Sequence, residues 1–528
     1  MKLLHISDTH FGDEMDFNEE ALKIAERDIY DSTSDLLLHT GDVTQAGKLD
    51  QYEWGRDFLE GIQIPRVVIP GNHDVRSGGI ALFEKYVGPV NGVEVHGEAV
   101  VVYVNSAIAD SNDGRVGQVK FDMMREALHK YHDKPIKIVA IHHHTIPTPR
   151  AGRERNILSN AGDLLDIFLR FDVDLVLSGH RHYPNVYRVE DTVFVNAGPV
   201  SCRKTRYGDL NSYNIIEITE ETVNVETRRV DGSCKITNFP RGRKRTFYDF
   251  GPRLGRIVQM SNSFIANSSK FLADHLHNAL NTINSLQPDI VVHCGGIVRE
   301  GISENYELAR NYLPLLEPPI VYTPAARDLN YLGYDLFPAQ LGPLEQTYIT
   351  DNIMLRGLCS SQYDSPTGVI GDTQRKVLFK SLETREEDFL GLFLHHNVTP
   401  IPHAREKGLM EDAGDLLREA VDFGIDLILT GTSSHAYAAK IGNTVIANAN
   451  SISSVYQRST YGASFNLIDI YEKVMAVFEI NSLWGTQKIL GMWPRTGENL
   501  KKRKPPDTPR SDKIVDELNS SSSYNVHD

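Results

Sequence analysis

"LLLHTGDVTQAG" (residues 36–47) returns much later in the chain as "IVVHCGGIVREG" (residues 290–301). Each copy opens on a short apolar, strand-forming run and breaks into a glycine-containing turn. Chemical character is kept at nearly every position, but Asp42 of the first copy is Gly296 in the second. The correspondence extends outward from this pair. "KLLHISDTHF" from Lys2 matches "RIVQMSNSFI" from Arg256 at the same offset, and "VVIPGNHD" matches "IVYTPAARD" with Pro70 opposite Pro324. Further on, "IVAIHHHTIP" matches "LGLFLHHNVTP", "AGDLLDIFLRFDVDLVLSGHRHY" matches "AGDLLREAVDFGIDLILTGTSSHAY", and "TVFVNAGPVSCRKTRYGD" matches "TVIANANSISSVYQRSTYGA".

Six blocks in one order at a nearly constant offset describe a tandem duplication. The period far exceeds the roughly 20 to 50 residues of a solenoid repeat, so each copy is expected to be a complete domain. The 528-residue length agrees, being too great for one hydrophobic core. The expected division is a catalytic domain over 1–232, a turn-rich linker over 233–254, a second domain over 255–485 and a largely disordered tail over 486–528, which is rich in Pro, Ser and charge. "RGRKR" in the linker and "KKRKPP" in the tail read as solvated charge, with contact to nucleic acid or an acidic partner as the alternative.

Within the first copy, "KLLHIS", "SDLLLHT", "PRVVIP", "AVVVYVNS", "IKIVAIH", "VDLVLSG" and "TVFVNAG" read as strands, alternating with stretches of helical periodicity. This is the pattern of an α/β protein. Hydrophobic residues at 41% and charged residues at 24% are ordinary for a soluble folded chain. A formal charge of −15 argues against non-specific nucleic-acid binding. Four cysteines without CxxC spacing fit a reducing compartment. No apolar run approaches the length that spans a bilayer, so the expected setting is cytoplasmic, with no membrane partner.

The first copy carries Asp8 and His10, Asp42, Asn72 with His73 and Asp74, His142, and His180 with His182, each directly after a predicted strand. In a parallel α/β sheet such positions converge at the carboxyl edge, where ligands bind. Taken singly, an Asp or Asn after a strand is often only a helix cap or turn residue. His39 reads as a core or turn histidine, and His129 and His132 as surface residues. Taken together, and setting His73 and Asp74 aside, these are seven convergent Asp, Asn and His side chains without cysteine, an oxygen and nitrogen set suited to Mn, with Fe or Zn as alternatives. Seven ligands exceed the needs of one ion, so a dinuclear centre bridged by Asp42 is expected. "SCRKTRYGD" adds Arg203, Lys204 and Arg206 near the site edge. Arg203 and Arg206 are candidates to bind substrate phosphate, against a plain surface role.

As a set, "DTH", "GD", "GNHD", "HHH" and "GHRH" resemble the signature of the calcineurin-like metallophosphoesterases, and "TGDVTQAGKLDQY" and "HHHTIP" look most like the class III cyclic-nucleotide phosphodiesterases. The resemblance covers residues 1 to about 230. It implies a four-layer α/β/β/α sandwich, here duplicated in tandem. It also implies two divalent transition-metal ions, one held by Asp8, His10, Asp42 and His182 and the other by Asp42, Asn72, His142 and His180. His73 would sit beside the phosphate with Asn72, and Asp74 would orient His73. A metal-bound hydroxide would attack phosphorus.

In the second copy Asn262, Phe264, Gly296, Ala326, Arg327, Thr432 and Ser434 replace Asp8, His10, Asp42, Asn72, His73, His180 and His182, and only His395 survives. The strand-forming runs persist. The second copy is therefore expected to be metal-free, packing on the first as an intramolecular pseudo-dimer with a structural or regulatory role. The expected activity is phosphodiester hydrolysis on a cyclic nucleotide, nucleotide or nucleic-acid substrate. The alternatives are a phosphomonoesterase, a DNA or RNA nuclease, and, in another class, a non-catalytic metal- or nucleotide-binding scaffold.

Overall fold

Short runs of Leu, Val and Ile such as Leu36–His39 are buried along their whole length, because strands stacked between two apolar layers present both faces to a core. The computed structural model describes residues 1–499 apart from 13–14, 151–156, 243–248, 364, 386, 405–407, 458 and 496. Its first half contains strands β1 (Lys2–Ile6), β2 (Leu36–His39), β3 (Arg66–Val68), β4 (Gly92–His96), β5 (Ala99–Val104), β6 (Ile136–Ile141), β7 (Leu175–Ser178), β8 (Asn185–Val189), β9 (Thr192–Asn196), β10 (Ser212–Ile218), β11 (Thr222–Arg229) and β12 (Cys234–Pro240). The second half continues with β13 (Arg253–Met260), β14 (Ile290–His293), β15 (Ile320–Tyr322), β16 (Thr347–Ile349), β17 (Ile353–Gly357), β18 (Ser361–Gln362), β19 (Ser365–Gly368), β20 (Phe389–Phe393), β21 (Leu427–Thr430), β22 (Tyr437–Ile441), β23 (Thr444–Asn448), β24 (Ser464–Tyr471), β25 (Val474–Asn481) and β26 (Gln487–Pro494).

One sheet runs β12-β11-β10-β1-β2-β3 and another runs β26-β25-β24-β13-β14-β15, the same order carried by the second half. A third sheet of twelve strands runs β4-β5-β6-β7-β9-β8 and continues directly as β22-β23-β21-β20-β17-β16. In each half a six-stranded sheet faces six strands of the long one. Alternate residues then divide between two cores. Ala99, Val101 and Tyr103 meet Leu3, Leu36 and Leu38 between the sheets. Val100, Val102 and Val104 point the other way, under the helices Gln118–Lys130 and Ala161–Arg170. Leu4, Ile6 and Leu37 close the outer face of the six-stranded sheet against the helices Glu19–Tyr30 and Leu49–Glu60. The result is a four-layer α/β/β/α arrangement in each half.

The halves join edge to edge. Val189 of β8 pairs with Ile441 of β22, flanked by Glu190 N to Lys440 O and Gly442 N to Arg188 O, both 2.9 Å. Contacts are reciprocal, as across a two-fold axis. Arg150 N donates to Asp415 Oδ1 at 2.6 Å, while at the counterpart place His403 N donates to Asp163 Oδ1 at 2.8 Å. Arg418 lies 4.2 Å over the Tyr187 ring, and Trp493 Nε1 donates to Glu190 at 2.8 Å. The apolar layer beneath the long sheet runs unbroken from Leu164 and Leu165 into Leu416 and Leu417.

Two expectations are corrected. The linker assigned to 233–254 contains β12, an edge strand held by its backbone pairing with β11 rather than by buried side chains. Exposure along that strand erased the apolar alternation that would have revealed it. The tail assigned to 486–528 begins with β26, whose Trp493 is buried in the second inter-sheet core. Residues 500–528, with "KKRKPP", lie outside the described residues, as does most of "RGRKR"; its Arg241 is paired with Asp174.

Candidate metal centre

The candidate ligands stand on sharp turns at the carboxyl ends of β1, β2, β3, β6 and β7. Asp8, His10, Asp42, His180 and His182 all have left-handed backbone, with φ of 55°, 51°, 54°, 73° and 52°. Such non-glycine conformations cost about 1–3 kcal/mol each and persist only where surrounding structure enforces them. Here Asp8 N bonds Gly41 O at 2.9 Å and His10 N bonds Asp42 O at 3.0 Å, locking the two turns together. Close approach also fixes Gly71, where an added Cβ would collide with the Asp42 backbone and carboxylate.

These turns bring all seven candidate ligands together. Asp42 Oδ2 lies 3.3 Å from His142 Nε2 and 3.7 Å from His10 Nε2. Asp8 Oδ1 lies 3.2 Å from His182 Nε2 and 3.7 Å from His10 Nε2. Asn72 Oδ1 faces His142 Nε2 at 3.1 Å and His180 Nδ1 at 2.9 Å. Ligand atoms of Asp8, His10, Asp42 and His182 lie within 4.8 Å of one another, as do those of Asp42, His142 and His180. Of the three adjacent histidines only His142 joins the group. Both ring nitrogens of His143 are engaged, with Ser106 and the Asn112 carbonyl.

The donor chemistry fits metal ions. His10 Nδ1 bonds Gln45 Oε1 at 2.7 Å, His142 Nδ1 bonds Thr40 O at 2.7 Å, and His182 Nδ1 bonds Lys204 O at 2.6 Å. An oxygen acceptor at Nδ1 holds the proton there and turns the Nε2 lone pair inward, the usual way a ligating histidine is oriented. His10 Nε2 and His182 Nε2 then face each other at 3.1 Å as two lone pairs, which a cation stabilises. Burial opposes charge on Asp8 and Asp42, yet the facing histidines, His182 for Asp8 and His142 for Asp42, hold both carboxyls well below the usual range. Burial also opposes charge on His142, but Asp42 raises its ring to about 9. His73 is lowered to about 4, chiefly by burial.

Two expectations about the site change. Asp74 does not orient His73: its carboxylate accepts from Gly71 N at 2.9 Å, Thr44 N at 2.7 Å, Thr44 Oγ1 at 2.8 Å and Val43 N at 3.1 Å. It staples two ligand-bearing turns, and the His73 ring is anchored instead by Nδ1 on Gln45 O at 2.7 Å. Arg203 turns away, its Nε on Phe17 O at 3.0 Å, because its backbone pairs with Asp16 outside the cavity. Lys204 and Arg206 do line the cavity, whose volume is about 530 Å³. A cysteine also stands beside the ligand set. Cys202 Sγ lies within 4.8 Å of ligand atoms of His10 and His182, and despite burial these rings draw its thiol below the ordinary value.

Sequence reasoning missed Gln45, Arg76 and Asn112 as cavity residues. Arg76 Nη2 bonds Asn112 Oδ1 at 2.9 Å, and Asn72 Nδ2 bonds the same oxygen at 3.2 Å, which points the Asn72 carbonyl at the histidines. Asn112 sits in an irregular loop with no periodic signal. His39 is buried against Thr9, and His129 and His132 are exposed, as expected.

At the matching place in the second half the same turns recur without those side chains. Asn262, Phe264 and Gly296 keep left-handed φ of 50°, 47° and 71°. His395 Nδ1 bonds Cys294 O at 2.7 Å as His142 does Thr40. The Phe264 ring lies 3.0 Å from where a Cβ on Gly296 would stand, filling the space that the Asp42 carboxylate takes in the first half. Among the described residues no group of three or more close His, Cys, Asp or Glu ligand atoms lies in this half.

Comparison with known proteins bears on the first half. Residues 1–184 match the family described as calcineurin-like phosphoesterase. A 3',5'-cyclic-nucleotide phosphodiesterase of Nostoc is 28% identical over 149 residues, which are 28% of this chain and 56% of that protein, so the match spans little more than half of that relative. A probable cyclic nucleotide phosphodiesterase of Vesicomyosocius okutanii is 24% identical over 237 residues, 42% of this chain and 97% of that protein. Among solved structures, a dimetal phosphatase from Danio rerio aligns with 46% of this chain and all of its own, at 11% identity and a TM-score of 0.38. The match to the calcineurin-like phosphoesterase family thus covers residues 1–184. No described helix is long and apolar enough to cross a membrane.

Proposed function

We propose that the amino-terminal domain, residues 1–240 with β12 included, hydrolyses phosphodiester bonds of nucleotide-sized substrates, cyclic nucleotides first among them. The observation that carries the reading is Asp42, whose carboxylate stands between the histidine sets of His10 and His142. Asp8, His10, Asp42 and His182 would hold one divalent ion and Asp42, Asn72, His142 and His180 a second, and Mn, Fe or Zn bound there would supply positive charge at the phosphoryl oxygens and acidify water at neutral pH.

The chain's own groups do the rest. His73, fixed by Nδ1 on the Gln45 carbonyl and by its backbone N–H on Asp42 Oδ1 at 2.8 Å, presents Nε2 to the cavity, where it would take up a proton from water and pass it to the leaving oxygen. Arg206 and Arg76 on the cavity rim would receive the remaining phosphate charge, Lys204 beside them being paired with Asp16. A cavity of about 530 Å³ suits a small ester. We further infer that the two halves arose by tandem duplication, and that the second serves as a built-in partner completing the twelve-stranded sheet. Relatives named as cyclic-nucleotide phosphodiesterases support the choice of substrate class.

The test compares turnover of bis-p-nitrophenyl phosphate, p-nitrophenyl phosphate, a cyclic nucleotide and single-stranded DNA with added Mn. Chelator-sensitive hydrolysis favouring the diester and the cyclic nucleotide is expected. Hydrolysis confined to the monoester or to DNA would replace this reading.

A further inference from the structure

The mouth of the degenerate centre differs from that of the first half in charge as well as in ligands. In the first half Asp16 accepts from Gln45 Nε2 at 2.5 Å and pairs with Lys204 Nζ at 2.8 Å, so acid and base neutralise one another beside His73. The equivalent positions of the second half hold Lys270 for Asp16, Arg299 for Gln45, Arg327 for His73 and Tyr456 for Lys204. The same backbone bonds place them. Val455 N bonds Lys270 O at 3.2 Å as Arg203 N bonds Asp16 O at 2.7 Å, and Arg299 N bonds Ile265 O at 3.2 Å as Gln45 N bonds Phe11 O at 3.0 Å.

We propose that Lys270, Arg299 and Arg327, with the Tyr456 hydroxyl, form a metal-free site that binds a phosphate-type oxyanion on the carboxy-terminal half. Lys270 Nζ lies 5.1 Å over the Tyr456 ring, and the charges of Lys270 and Arg299 draw the tyrosine hydroxyl below its ordinary value. Arg327 lies 5.8 Å over the ring of Phe264, the residue that closes the former ligand space. None of the three cations pairs with an acidic side chain among the described residues, and the adjacent Glu300 pairs with none of them. Lys270 and Arg327 are exposed, Arg299 is half-buried and Tyr456 is 49% exposed, so the group is open to solvent.

Among the described residues no unpaired acid lies beneath the three cations. The two carboxylates of the first centre are Asn262 and Gly296 here. The remaining acid, Asp328, is buried and consumed by Gly296 N, Val298 N and Ala325 N at 2.8–2.9 Å. Three uncompensated cations at one mouth create a positive field, and two guanidinium forks match the geometry of a phosphoryl group. The first half would meet phosphate with metal ions, and the second meets it with arginine. Binding there uses no metal and no residue of the amino-terminal half, so this site and the hydrolysis above can fail separately.

The test is calorimetric titration of the full chain, freed of metal by chelator, with inorganic phosphate and in a second arm with AMP. The titration is repeated on the Asp42→Asn chain, in which the first centre is disabled. Saturable one-site binding in both chains is expected, weakened about tenfold or more by Arg299→Gln combined with Arg327→His, and likewise by Lys270→Asp. Diester turnover of the otherwise wild-type chain should not change with these substitutions. Equal affinity for the two probes identifies the free oxyanion as ligand, and tighter AMP identifies an ester. Absence of saturable binding, binding unaffected by both sets of substitutions, or binding lost in Asp42→Asn would overturn the proposal.

Discussion

The two halves of this molecule share a backbone and differ in what the backbone presents. Turns at Asp8, His10 and Asp42 hold a carboxylate and imidazole cluster in left-handed conformations, and the turns at Asn262, Phe264 and Gly296 hold the same conformations with nothing to ligate a metal. Strain of this kind is usually read as a sign of function. Here it recurs where the ligands are absent, because it is enforced by the framework. Asp74 and Asp328 each staple the turns from below, and Tyr52 and Tyr306 donate to their backbone carbonyls at 2.6 and 2.8 Å. Left-handed φ at this position is therefore evidence of the fold, and the side chains alone are evidence of chemistry.

The comparison can be broken or sharpened by substitution. The largest effect is expected from Asp42→Asn, which should lower diester turnover about a thousandfold or more, because a carboxylate shared by both ligand sets is lost. His73→Gln should lower kcat by about 10²- to 10⁴-fold while leaving metal content intact, as removal of a proton-transfer group does. Retained turnover would remove His73 from the mechanism. Returning the carboxylate to the second half by Gly296→Asp should not create a metal site, since the new Cβ would stand 2.5 Å from Asn262 Oδ1 and 3.0 Å from the Phe264 ring. It should instead lower stability by about 1–3 kcal/mol in urea unfolding. Additional bound metal would contradict the account.

Smaller effects separate stapling from chemistry. Asp328→Asn should destabilise the chain by about 1–3 kcal/mol through lost or strained hydrogen bonds, with diester turnover unchanged. Arg206→Ala should raise KM about three- to tenfold by removing a rim charge. Arg203→Ala should leave KM alone, and equal effects of the two would restore Arg203 to the cavity.

Much of this contrast was legible in the sequence, for a physical reason. Each ligand follows an apolar run whose burial forces it into a strand, so Asp8, Asp42, His142 and His180 are fixed by their neighbours as much as by themselves. The loss at 296 is visible because Val291 and Val292 persist around it. What escaped lies where burial does not pattern the chain. β12 and β26 are edge strands with largely exposed faces, and Arg76 and Asn112 meet the cavity from irregular segments. The role that the family resemblance implied for Asp74, orienting His73, does not fit its contacts, since the carboxylate is consumed by Gly71 N, Val43 N and Thr44. Across a turn that sharp, the two side chains diverge, one into the cavity and one beneath it.

The central claim is tested most directly by counting metal in the full chain after Mn reconstitution and removal of loosely bound ions. Two ions per chain are predicted, both released by Asp42→Asn and neither by His395→Ala. Two ions persisting in Asp42→Asn, or ions lost on His395→Ala, would place the metal in the wrong half and contradict the account.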